Sequence, residues 1–79
     1  MRWVNEAKAR YYQAELVQDL FGDWVVITAW GGLGSRRGRQ RNLFVPSYEA
    51  GVQQLAAIDK RRRQRGYRPV LVRPLTLKV

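Results

Sequence analysis

The sequence has no cysteine and no histidine among its 79 residues, and it has only one methionine and three prolines. Without cysteine or histidine, the chain lacks disulfides, thiol nucleophiles and the side chains that most often bind metals or act as general bases. The six acidic residues are scattered and form no recognisable catalytic pair. These absences predict a protein that is not an enzyme and has no catalytic residue, metal or cofactor.

Long apolar runs are also missing. The longest apolar segment covers residues 24–30, far short of the ~20 residues that a membrane-spanning helix requires. The N-terminal sequence MRWVNEAKAR contains no apolar signal region. We therefore expect a soluble cytoplasmic protein with no membrane partner. Because domains typically contain about 50 to 250 residues, the length predicts a single domain over residues 1–79.

Negative charge is scarce, since six acidic residues stand against fifteen lysines and arginines, giving a formal net charge of +9. Ten of the cations fall in two segments without acidic residues. The arginine segment, residues 36–41, contains Arg36, Arg37, Arg39 and Arg41; the helix-end cluster contains Lys60, Arg61, Arg62, Arg63, Arg65 and Arg68. Arginine suits bidentate phosphate contacts and stacks on rings. An acidic polymer is therefore the expected partner, although such residues also simply keep small proteins soluble.

Four segments have the patterns of strands. Residues 2–7 predict a short first strand, and residues 10–18 alternate with one apolar face. The sequence DLFGD then predicts a chain reversal with Phe21 tucked beneath it. Residues 24–30 are apolar on both faces, which is typical of a central strand. Residues 40–45 are expected to return as the next strand.

A helix is predicted from Ser47, a suitable N-cap, to Gly66, a suitable C′ residue. Its apolar stripe consists of Tyr48, Gly51, Val52, Leu55 and Ile58, extended by the stem of Arg62. Prolines at 69 and 74 restrict residues 68–79 to an edge strand or a tail. The predicted fold is α+β: a twisted antiparallel sheet of four to five strands with one long helix packed across one face.

The glycine-rich run GGLGSRRG does not match the phosphate-binding P-loop, and no helical pattern follows it. We interpret it as a hairpin connection with amides available to an anion. Trp30 precedes this run at a strand end, where a ring is expected to be half covered. The residue patterns leave two roles open for Trp30: packing in the core, or stacking a base or sugar, which contributes about 1 to 3 kcal/mol.

The sequence FGDWVVITAWGGLGS, the helix opening SYEAGVQQL and the close RQRGY resemble the WGR domain, named for a Trp-Gly-Arg motif. The resemblance covers residues 11–67 and implies an antiparallel sheet with one packed helix. The family occurs in DNA-damage-responsive poly(ADP-ribose) polymerases, where it binds DNA ends or breaks, and in bacterial proteins of mostly uncharacterised role. Trp30 and Gly31 match the first two motif positions, and Leu33 and Gly34 match the residues that usually follow. Gly32 replaces the motif arginine, which in the family contacts DNA and other domains.

The predicted function is a non-catalytic nucleic-acid-binding module, with DNA favoured over RNA. The expected contact residues are Trp30, Gly31, Arg36, Arg37, Arg39, Arg41, Arg61 and Arg65. For the last two the residue pattern also fits another role, because basic residues in a last helical turn commonly offset the helix dipole. Two alternative functions remain: a protein-interaction or homodimerisation module that uses the same basic surface, and RNA binding.

Overall fold

The computed structural model describes residues 1–70, which form five strands and one helix. The elements are β1 (Arg2–Asn5), β2 (Arg10–Gln18), β3 (Trp24–Gly32), β4 (Gly38–Val45), α1 (Tyr48–Gln64) and β5 (Arg68–Val70). The strands make one antiparallel sheet in the order β4-β3-β2-β1-β5, and α1 packs across one face. The predicted α+β fold is confirmed.

The pairing of β2 with β3 organises the sheet. Tyr12 lies opposite Trp30, and Leu16 lies opposite Val26. Residues directly opposite each other share a face of an antiparallel sheet, and this face is the one that the helix covers. β3 lies between β2 and β4, as its apolar residues on both faces predict.

The fully buried side chains are Trp3 and Val26. Trp3 comes from the short strand β1, and its indole Nε1 donates a hydrogen bond of 2.8 Å to Oδ1 of Asp59 on the helix. Ala14 and Val25 are buried as well. At the centre of the core, the first strand therefore packs against the helix, although the two elements are far apart in the sequence.

The helix begins and ends as its sequence predicts. The Ser47 hydroxyl accepts a hydrogen bond of 3.1 Å from the amide of Ala50, and Gly66 follows the last turn with a φ of 89°. Gly51 is the buried residue of the helix. Leu16 packs so closely against it that a Cβ at this position would lie 2.8 Å from Cδ2 of Leu16. The N-terminal part of the predicted stripe is less covered than expected: Tyr48 is 52% exposed, and its ring packs against that of Trp24 at 69° with 5.3 Å between the ring centres.

Two local predictions need correction. The expectation that Phe21 lies beneath the β2–β3 turn is wrong, because its side chain is 90% exposed. The turn is instead held by Asp19, whose carboxylate accepts from the amides of Phe21 and Asp23 at 2.9 Å each. Strands β3 and β4 extend further than predicted, so that the connecting turn covers only residues 33–37. At the C-terminal end, β5 pairs with β1 at one edge of the sheet; the rest of the predicted edge strand or tail, residues 71–79, lies outside the described residues.

Candidate functional site

A groove of about 640 Å³ opens between the C-terminal half of α1 and strands β2, β3 and β4. Six cationic side chains line it: Lys8, Arg10, Arg41, Arg61, Arg62 and Arg65. Three aromatic rings, those of Tyr12, Trp30 and Tyr67, line it as well. Tyr11 also borders the groove, but its ring lies on the opposite face of the sheet, where the Arg2 guanidinium stacks on it. Within the described chain, no carboxylate contributes to this lining. The groove therefore combines positive charge with aromatic surface and has no internal counter-charge.

Three aromatic rings and one guanidinium contact one another in a row across the groove. Trp30 stacks on Tyr12 with a centroid distance of 5.8 Å and an interplanar angle of 13°. The guanidinium carbon of Arg62 lies 4.5 Å from the centre of the Tyr12 ring and 5.2 Å from that of Tyr67. Cation–π contacts at these distances are attractive. The strand pairing fixes the two stacked rings, and the end of the helix adds the cation.

The acidic side chains that form ion pairs lie outside the groove. Among residues 1–70 the ion pairs are Arg63 with Asp59 and Arg68 with Glu6, at 3.0 Å and 3.1 Å. The hydrogen bond from the Trp3 indole, with help from Arg63, holds the pKa of Asp59 below its usual value. Arg68 lowers the pKa of Glu6 in the same way. These carboxylates are thus already partnered and leave the groove cations without an ion pair in this part of the chain.

The structure brings five of the eight expected contact residues to the groove. Trp30, Gly31, Arg41, Arg61 and Arg65 line it. Trp30 is half-buried. Arg39 lies opposite Trp30 at the start of β4, on the helix side of the sheet but outside the lining. Arg36 and Arg37 are exposed in the β3–β4 turn. The arginine segment thus divides between a strand beside the groove and an outer turn.

Gly31 has a steric role in the sheet. A Cβ at this position would lie 3.0 Å from the carbonyl oxygen of Arg37 and 3.2 Å from a ring carbon of Tyr11. Both distances are tighter than ordinary van der Waals contact. Gly31 therefore allows the start of β4 to approach β3 closely, and it also exposes backbone at the groove wall.

The idea that the turn offers amides to an anion is not supported by its hydrogen bonds. The Leu33 amide donates to the carbonyl of Ala9 at 2.8 Å, and the Ser35 amide donates to that of Gly32 at 3.1 Å. The Arg37 amide donates to the Ser35 hydroxyl at 3.0 Å. These donors are used within the chain, so the turn presents arginine side chains more than backbone donors.

Six of the charged and aromatic residues that border the groove are not among the predicted contacts: Lys8, Arg10, Tyr11, Tyr12, Arg62 and Tyr67. The alternation of β2 does place Tyr12 on the apolar face, and the helical stripe does place the Arg62 stem against the sheet. The same alternation places Arg10 on the face of Tyr12, whereas the positions of Lys8 and Tyr67 depend on tertiary packing. The sequence contains no local signal for Lys8 or Tyr67.

The fold is a small module built from one sheet and one helix, with a groove of basic and aromatic residues between them. The family model of the WGR domain matches residues 1–73, and the chain belongs to this family. WGR domains are nucleic-acid-binding modules and are not catalytic. No curated protein and no solved structure gives a significant match. No helix in the described part of the chain is long and apolar enough to cross a membrane.

Proposed function

We propose that this chain is a non-catalytic module that binds nucleic acid, with DNA preferred over RNA, through the groove and the adjoining arginine segment. The observation that carries the proposal is the lining of the groove: six cations, three aromatic rings and no carboxylate among the described residues. A phosphate-bearing polymer supplies the missing negative charge. The preference for DNA follows from the resemblance to WGR domains that bind DNA ends or breaks.

The charges set the expected strength and salt dependence of binding. Each phosphate neutralised on duplex DNA contributes a slope of about −0.9 to the logarithm of affinity against the logarithm of salt. If all six groove cations engage a phosphate, the slope approaches about −5. Phosphate contacts position a protein without reading base sequence. We therefore expect salt-sensitive binding with little sequence preference.

The aromatic residues and the arginine segment have separate roles in this proposal. Trp30 is stacked on Tyr12 along one face, and its place at the groove wall lets its remaining surface contact a base or sugar. Arg39 and Arg41 lie opposite Trp30 and Thr28 along β4. Arg41 lines the groove, Arg39 extends the positive surface beyond it, and the exposed Arg36 and Arg37 continue this surface at the turn.

Direct titration tests the proposal. One sequence is prepared as duplex DNA, nicked duplex, single-stranded DNA and RNA, and binding is followed by fluorescence anisotropy at about 50 mM and 200 mM salt. We expect binding to every DNA form at the lower salt, weaker binding to RNA, and a strong decrease at the higher salt. Absence of binding to all four ligands at the lower salt would contradict the proposed function.

A protein-interaction or homodimerisation module is the second candidate, because the same uncompensated groove charge attracts an acidic protein surface. Leu20 and Phe21, which are 100% and 90% exposed at the β2–β3 turn, add apolar surface at the opposite end of β3 from Trp30. This candidate predicts self-association in sedimentation experiments, or no nucleic-acid binding in the titration above. A monomer that binds DNA would exclude homodimerisation as the main role.

A further inference from the structure

Arg62 differs from the other groove cations in how its side chain is held. Its guanidinium lies against the rings of Tyr12 and Tyr67, at 4.5 Å and 5.2 Å from their centres. The residue is half-buried, whereas Arg61 in the helix and Arg65 directly after it are exposed. The guanidinium carbon thus lies over two aromatic rings. The N–H donors at its edge remain directed to acceptors in its own plane.

One of these donors has no acceptor among the described residues. Nε of Arg62 is buried, and no residue from 1 to 70 accepts a hydrogen bond from it. A buried donor without a partner destabilises the folded chain, so its presence is unusual in a native structure. The neighbouring Arg63 provides the contrast, since its Nε donates to both carboxylate oxygens of Asp59 at 3.0 Å.

We propose that Arg62 is the anion-binding group of the groove and that it binds one phosphate of the nucleic-acid backbone. The choice of ligand rests on the proposed function. The geometry supports an anion independently, because Arg62 lines the groove, is held by two rings and has no competing carboxylate there. Arg10, Arg61 and Arg65 surround the same space and favour a phosphate group, which remains ionised and presents several acceptor oxygens, over a neutral ligand.

This site gives the groove and the arginine segment different tasks. Exposed arginines attract the polymer over a distance but are screened by salt. A guanidinium held in position loses little conformational freedom when it binds and is less accessible to screening ions. Arg62 therefore determines where one phosphate binds between the helix and the sheet. Because Tyr12 contacts both Arg62 and Trp30, it sets the position of this phosphate relative to the Trp30 ring.

Two side-chain variants with a matched control test the site. Arg62→Gln removes the charge at the site, and Arg62→Lys keeps the charge but removes the planar fork. Arg63→Gln is the control, because it removes the same charge one residue away, where the cation pairs with Asp59 instead of lining the groove. Since hydrogen bonds to charged groups contribute strongly, we expect Arg62→Gln to weaken oligonucleotide binding about tenfold or more. Arg62→Lys should recover only part of this loss, and Arg63→Gln should change affinity less than about twofold.

A second measurement does not depend on the stability of these variants. In ¹⁵N-labelled wild-type protein, the Nε–Hε signals of Arg62 and Arg63 are followed while inorganic phosphate, and then a single-stranded oligothymidylate, is added in a phosphate-free buffer. We expect the Arg62 signal to shift with both ligands and the Arg63 signal to stay in place. A shift with inorganic phosphate but no binding of any oligonucleotide would retain the anion site and reject the proposed function.

Two results would overturn the Arg62 site. The first is an Arg62 signal that moves with neither ligand. The second is a wild-type protein that binds DNA while folded Arg62→Gln binds as tightly as Arg63→Gln. In either case Arg62 is a packing residue, and the exposed arginines alone carry the phosphate contacts.

Discussion

Arg10 on β2 lies directly opposite Gly32 on β3, and its side chain lines the groove. Gly32 occupies the motif position at which WGR domains usually have arginine. Residues that face each other across an antiparallel pair are close neighbours on one face of the sheet. The chain therefore has a cation beside this position, although the position itself has no side chain.

The first prediction concerns Gly32→Arg. A Cβ at this position would have its nearest neighbours at 3.6 Å and 3.8 Å, which are ordinary contacts. We expect the variant to fold with a nearly unchanged melting temperature, to bind DNA more tightly, and to steepen the salt slope by about one phosphate equivalent. Thermal melts and salt-dependent titrations measure these effects. A DNA affinity equal to that of the wild type would indicate that Arg10 already saturates this contact.

Gly31→Ala is the steric control for that experiment. Its Cβ would lie 3.0 Å from the Arg37 carbonyl oxygen and 3.2 Å from Tyr11, so the start of β4 must move. Overpacking of this kind typically costs about 1 to 3 kcal/mol. A Gly31→Ala protein as stable as the wild type would show that the strand tolerates a side chain at either glycine.

The second prediction concerns the arginine segment. Replacing Arg36, Arg37, Arg39 and Arg41 together with glutamine should weaken DNA binding and flatten its salt slope. The melting temperature should change little, because exposed charges contribute little to stability and these four are exposed. Unfolding of the variant would instead assign these residues a structural role. If the variant with all four substitutions has an unchanged salt slope, the phosphate contacts come from the helix side of the groove.

The third prediction concerns Trp30, whose half-buried ring stacks on Tyr12. Complete truncation of a core aromatic costs about 3 to 5 kcal/mol, and we expect Trp30→Ala to lose about half of this because its ring is only partly covered. Trp30→Phe should keep most of the stability through its remaining ring. Both variants should bind DNA more weakly than the wild type. Denaturant unfolding combined with anisotropy distinguishes packing from contact: unchanged affinity in folded Trp30→Phe would make Trp30 a packing residue only.

The fourth prediction is a loss of stability in acid. Hydrogen bonds from Trp3 and Arg63 lower the pKa of Asp59 in the folded state. Between the folded and unfolded pKa values, the unfolded chain binds more protons, so its population rises as the pH falls. The stabilisation is present above the unfolded pKa, near 4, and is lost as the pH falls through the folded value.

Urea unfolding at a series of pH values measures this effect. Asp59→Asn keeps an oxygen acceptor for the Trp3 indole but cannot titrate, so we expect a smaller change of stability with pH. Glu6 also has a pKa lowered by Arg68. Glu6→Gln therefore removes the contribution of Glu6 to the pH dependence of stability. An acid response of Asp59→Asn identical to that of the wild type would show that the Asp59 carboxylate is not linked to stability.

The sequence predicts the parts of this fold that depend on neighbouring residues. Ser47 as an N-cap, Gly66 after the last helical turn, and the two-sided apolar pattern of β3 all reflect local chemistry, and the structure confirms them. The exposed Phe21 shows the limit of such reasoning. Apolar character indicated burial, but the hydrogen bonds of Asp19 form the turn without using that ring.

The groove is harder to predict because its residues come from separate elements. Arg10 reaches it through the strand register, and Arg62 reaches it through the packing of the helix. Charge clustering in the sequence marks Arg41, Arg61 and Arg65, which line the groove, yet it equally marks Arg63, which pairs with Asp59. A cluster of arginines indicates a basic surface, whereas the contact made by each one depends on the tertiary structure.

The hydrogen bond between Trp3 and Asp59 has a consequence for the order of folding. It joins residues 56 positions apart in the sequence, whereas Tyr12 and Trp30 meet in a hairpin of adjacent strands. Contacts of long sequence separation pay a larger loop-closure cost and form late. We therefore expect the floor of the groove to form first and the helix that carries Arg62 to dock last, so that only the completely folded chain has the site. A ligand that binds only this state then slows unfolding as well as stabilising the protein.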